Sequence, residues 1–126
     1  MSKIVVAANV MIENRTQISS VLRGNGPVDG EVFFLYEQKH KWSIFKSSAG
    51  AEEYVLCYYP GDHSLRAYAA MDDSTDWEEV DIIFYRTKEI GTTEARQTFA
   101  NLYSVVKELK FGMEEILDEI ISSGSS

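Results

Sequence analysis

Cysteine occurs once in this chain of 126 residues, at Cys57, and proline only twice. A lone cysteine closes no internal disulfide, so a hydrophobic core has to hold the fold, and a chain of this length can bury one. Long apolar runs are also missing. Ile4 to Ala8, after Met-Ser-Lys, is too short for a membrane span or a signal peptide, which places the protein in the cytoplasm by expectation. There is no glycine-rich phosphate loop and no Cys or His cluster at metal spacing. Lys and Arg number 12 against 20 Asp and Glu and are dispersed. The sequence therefore calls for no cofactor, no metal, no nucleic acid and no membrane.

What is present is β-forming sequence between Val32 and Tyr85. Val32-Phe33-Phe34-Leu35-Tyr36 is apolar on both sides, as in a central strand covered on each face, and the basic turn Glu37 to Lys41 separates it from Trp42-Ser43-Ile44-Phe45-Lys46. In the second run Ser43 interrupts the apolar residues, which points to a sheet with one wetter face. Glu53 to Tyr59 reads as a third strand, and Pro60-Gly61 as a type II turn into a fourth, Leu65 to Met71. Val80 to Arg86 supplies the fifth of the region. Turn-length connections make sequence neighbours pair, which predicts a meander.

Outside that region, Lys3 to Ile12 is β-branched enough for a further strand. Asn14 with Gln17 three residues on, and Ile18, Val21 and Leu22 at helical spacing, predict a short helix over Arg15 to Arg23. Gly24 to Gly30 is turn-rich loop. After Gly91, a threonine cap and Glu94 precede Ala95, Phe99, Leu102, Tyr103, Val106 and Leu109, which recur at three- and four-residue steps as in an amphipathic helix. Gly112 is placed to end it, and Met113 to Ile121 reads as a second helix. The expected fold class is α+β: an antiparallel β-meander sheet of about five to six strands covered by a C-terminal amphipathic helix. Residues 1–121 make one domain, and Ser122 to Ser126 a disordered tail.

Charge is the feature with functional leverage. Residues 1–71 hold seven acids and seven bases, whereas residues 72–81 hold six acids and no base, and residues 111–126 four acids and no base. Six acids in ten residues repel one another unless something offsets them or binding selects them. A solvated loop that keeps the protein soluble is the plain account. Trp77 inside the run favours a binding face, because an aromatic flanked by acids anchors basic partners, although the ring can equally fold back on the sheet. The candidate partner-binding residues are Asp72, Asp73, Asp76, Trp77, Glu78 and Glu79.

Other constellations carry less. Asp72, Ser74, Asp76 and Glu78 alternate as in half a calcium loop, but Trp77 stands where that loop needs glycine and Ile83 where it needs the bidentate glutamate. Cys57 lies mid-strand among Leu56 and Tyr58, where a small buried thiol is usual, and His63 belongs to a turn. His40 sits between Lys39 and Lys41, where an exposed turn residue is the plain reading.

The expected function is a non-catalytic acidic binding domain, such as an inhibitor, immunity or anti-defence protein, engaging a basic protein partner. One alternative is a small-molecule-binding domain or enzyme with a pocket between curved sheet and helix, lined by residues such as Tyr54, Tyr58 and Tyr68. Another is an adaptor or structural subunit that forms a homodimer through Met113 to Ile121.

Overall fold

The computed structural model describes residues 2–48, 50 and 52–124. Its centre is a five-stranded antiparallel sheet with strands in the order β1-β2-β3-β4-β5, so every strand pairs with its sequence neighbour. These are β1 (Ile18–Arg23), β2 (Val32–Tyr36), β3 (His40–Lys46), β4 (Tyr54–Tyr58) and β5 (Ile83–Arg86). The helices are α1 (Lys3–Glu13), α2 (Leu65–Ala70), α3 (Thr87–Ile90), α4 (Thr93–Lys110) and α5 (Met113–Gly124). The α+β meander and its C-terminal helix are as the sequence predicts.

Three segments differ from expectation. Lys3 to Ile12 is helical, not a strand. Ile4, Val5, Ala8 and Met11 are its buried residues, a spacing that makes one helix face despite the β-branched content, and this face packs on α4. The side-chain amide of Asn14 closes α1 at its C-terminus by donating to Val10 O at 2.9 Å, and does not start a new helix. Arg15 to Arg23 is a 3₁₀ turn (Arg15–Gln17) followed by β1. A register shift between Ser19 and Leu22, with Ser20 at φ 53°, inserts an extra residue, so Ile18, Val21 and Leu22 acquire helix-like spacing within a bulged strand. Leu65 to Met71 contains α2, because Ser64 Oγ caps Ala67 N at 3.1 Å and Leu65, Tyr68 and Ala69 share a buried face. Lys41 Nζ reaches across to the carbonyls of Gly61 and His63, at 2.5 and 2.8 Å, and fixes the turn that leads into it.

The sheet is covered on both faces. On one, Val32, Phe34, Ile44 and Leu56 pack against α1 and against Phe99, Leu102 and Val106 of α4. On the other, Phe33, Val55, Cys57 and Tyr59 pack against Leu65, Tyr68 and Ala69 of α2. β2 is an interior strand buried on both faces at Val32, Phe33 and Phe34, as the sequence predicts, and the middle position in the sheet belongs to β3. Ser43 and Ile44 are both fully buried, so β3 has no wet face there. Thr92 Oγ1 caps α4 through Ala95 N, and Gly112 adopts the left-handed φ of 65° after it. Tyr103 is only half-buried and donates to Gly30 O at 2.8 Å. α5 runs through Gly124; Ser125 and Ser126, the end of the expected disordered tail, lie outside the described residues.

Candidate functional site

The register of the sheet sets one row of side chains on the α2 face: Phe33 opposite Ser43, Ser43 opposite Cys57, and Cys57 opposite Phe84. Two residues along from Phe33 and from Cys57 the same face carries Glu31 and Tyr59. Glu31 is 8 % exposed. Its Oε2 accepts from Ser43 Oγ at 2.7 Å, and Ser43 Oγ lies 2.8 Å from the Tyr59 hydroxyl. Ser43 and Tyr59 both hydrogen-bond with the Glu31 carboxyl as well as with each other, so the three groups form one buried polar cluster.

Burial pushes the Glu31 carboxyl above the ordinary range, and the hydrogen bonds of Ser43 and Tyr59 pull it part of the way back. The same burial, with the Glu31 charge nearby, pushes the Cys57 thiol up to about 12 and the Tyr59 phenol further above its usual value. Neither group ionises near neutrality. The charge of Arg86 pulls the Cys57 thiol down, but it is the smallest of the influences on it and burial prevails, so no reactive thiolate forms. His63 stacks edge-on against Tyr68 instead, with ring centres 5.5 Å apart.

Beside this cluster lies a cavity of about 210 Å³, bounded by Glu31, Tyr59, Phe45, Phe84 and, from the loops, Pro27 and Trp77. Of the acidic segment, Trp77 and Val80 line this cavity, and none of its acids does. Asp72 Oδ1 accepts from both the amide and the hydroxyl of Ser74, at 3.0 and 2.6 Å, and these bonds hold its carboxyl below the usual range. Asp76 Oδ1 accepts from Glu78 N at 3.2 Å and starts the 3₁₀ turn Trp77–Glu79. The tightened backbone turns Trp77 inward. Its Nε1 donates to Asp72 O at 3.2 Å, and a side chain placed at Gly26 would meet the indole ring at 3.5 Å. Asp72, Asp73, Asp76, Glu78 and Glu79 remain exposed around it.

The six residues singled out by charge are thus together, but Trp77 is half-buried as a wall and does not stand out as a prong. Glu31, Ser43 and Tyr59 were not singled out. Their only sequence signal is an acid placed directly before an apolar strand and a hydroxyl inside one. Among the described residues no group of three or more His, Cys, Asp and Glu is placed to hold a metal, and no helix is long and apolar enough to cross a membrane. Comparison with protein-family models, curated proteins and solved structures gives no match.

Proposed function

We propose that the protein is a non-catalytic binding domain that receives a basic side chain of a protein partner in the cavity beneath its acidic loop. The observation that carries this reading is the position of Trp77, which joins the acidic loop to a cavity containing the buried Glu31 carboxyl. A cation attracted by the exposed acids would meet aromatic faces and then a carboxylate, two features that hold ammonium and guanidinium groups. The elevated thiol and phenol support binding over nucleophilic chemistry at this place.

The test uses a short lysine-rich peptide as probe. Changing Asp72, Asp73, Asp76 and Glu78 together to Asn or Gln should slow its association and flatten the salt dependence, because steering by exposed charge acts on encounter. Trp77→Ala should mainly speed dissociation. Wild-type rates in both variants, at low and at physiological salt, would reject the reading.

A second reading is favoured by one specific feature: Ile116, Leu117, Ile120 and Ile121 of α5 are between 42 and 67 % exposed. An apolar helix face of that kind supports self-association. Deleting residues 113–126 should then convert a dimer to a monomer in light scattering, and a full chain that is already monomeric at high concentration contradicts it.

A further inference from the structure

The sheet ends in β5, whose outer edge pairs with no other strand, and the register sets which of its backbone groups point that way. Tyr59 N donates to Lys41 O at 3.0 Å, so alternate residues of β4, counted back from Tyr59, bond to β3, while Tyr58 and Leu56 bond to β5. Their partners Ile83 and Tyr85 are therefore engaged with β4, and Phe84 between them aims its N–H and C=O outward. No backbone group among the described residues bonds to Phe84 from that side. The opposite edge of the sheet is different. In β1 the bulge at Ser20 breaks the ladder, a device that blunts an edge, whereas β5 has neither bulge nor proline.

The side chains at this edge are large and apolar. Ile83 and Phe84 are 45 and 43 % exposed, and as neighbours in a strand they stand on opposite faces of the sheet. Each borders a cavity. Ile82 and Phe84 line the one that contains Glu31, while Ile83 and Tyr85 line a second, of about 510 Å³, on the α1 face. Arg86, the cation of the strand, lies over the Phe84 ring at 4.6 Å and pairs with Glu89 at 3.2 Å, so its charge is already offset.

We propose that β5 accepts an added antiparallel strand from a protein partner, an extended segment in which basic residues alternate with apolar ones. Main-chain bonds from such a strand engage the outward groups of Phe84, and its alternation sends successive side chains to the two faces. The residues that bond to Phe84 share its face. These are the basic ones, because the cavity on that face contains Glu31 and the six acids of residues 72–81 lead directly into the strand. The residues between them meet the second cavity, which is aromatic and aliphatic apart from Glu37 and His40. A second copy of this chain would bring the same six acids and a net charge of -8 to the edge, and like charge opposes that. The inference takes the partner's charge from the reading of the Glu31 cavity and adds the backbone through which the partner docks.

Short peptides alternating Lys and Val separate main-chain docking from charge when one is N-methylated on its lysine amides and another on its valine amides. The charge is the same in both. In an antiparallel strand the lysine amides face β5 and the valine amides face solvent, so the lysine-methylated peptide should bind the full chain about tenfold or more weaker than the valine-methylated one in calorimetric titration. With the unmethylated peptide bound, the Phe84 amide should exchange with solvent about tenfold or more slowly than in the free protein, followed by NMR. Equal affinity of the two methylated peptides, no binding of the unmethylated one, or an unchanged Phe84 exchange rate would overturn strand addition. Phe84 protection that rises with protein concentration in the absence of peptide would place a second copy on the edge and overturn it too. If the methylated pair bind equally while association still depends on Asp72, Asp73, Asp76 and Glu78, strand addition falls and the reading of the Glu31 cavity stands, so the two fail separately.

Discussion

Glu31 and Glu53 are carboxylates whose surroundings push them in opposite directions, so their contributions to stability run oppositely with pH. For Glu31, burial is the larger influence and raises the folded-state value. Its favourable, protonated contribution is complete below the unfolded value and is lost as pH rises through the folded one. Glu31→Gln keeps an acceptor for Ser43 and has no charge to bury. Its melting temperature should therefore gain on wild type as pH rises from about 4 to 7, followed by calorimetry; a constant difference across that range contradicts a buried carboxyl. Glu53 accepts from Thr87 Oγ1 at 2.5 Å and from Arg96 Nε at 2.7 Å, and these bonds lower it. Its contribution is present above the unfolded value and is lost as pH falls through the folded one. Glu53→Gln should thus melt below wild type at neutral pH, with the gap closing below about pH 4.

At the scale of elements, α4 is what closes the sheet, and Leu102 is fully buried at its centre among Ile4, Phe99 and Val106. Leu102→Ala should cost about 2 to 5 kcal/mol in denaturant unfolding, and a loss below about half a kcal/mol would mean that the helix stands off the core. This helix was legible because its cap, its apolar spacing and its terminating Gly112 agree with one another. α1 and β1 were not, because each carries the local signal of the other class. Val5, Val6 and Val10 favour a strand, yet α4 offers a surface that only a helical face of Ile4, Ala8 and Met11 can fill. The bulge at Ser20 gives β1 helical spacing, and its pairing with β2 overrides that pattern. In α2 the alternation of Leu65, Ala67 and Ala69 fits either state, and the Ser64 cap decides. Charge density marked the acidic loop, but the inward turn of Trp77 depends on the bond from its Nε1 to the Asp72 carbonyl and on the Asp76 carboxylate accepting from Glu78 N. The Glu31 cluster depends on cross-strand register, which no single stretch of sequence encodes.

Across the whole molecule, the two faces of one sheet are finished differently: helices α1 and α4 on one, and α2 with the acidic loop on the other. Each finish leaves a cavity at its margin. The loop can lose charge without losing shape, since Asn at positions 72 and 76 retains the oxygen that accepts from Ser74 and Glu78. The fourfold neutral variant should therefore melt at or slightly above the wild-type temperature, by relief of repulsion, while replacing Asp72 and Asp76 by Ala should lower it. We propose that a cation enters beside Glu31. The most direct measurement is a calorimetric titration of wild type and Glu31→Gln with a capped lysine peptide and with its norleucine analogue, which has the same apolar stem and no charge. Wild type should prefer lysine by about tenfold or more, and Glu31→Gln should lose most of that preference. Equal affinity of wild type for lysine and norleucine, or an undiminished lysine preference in Glu31→Gln, would contradict it.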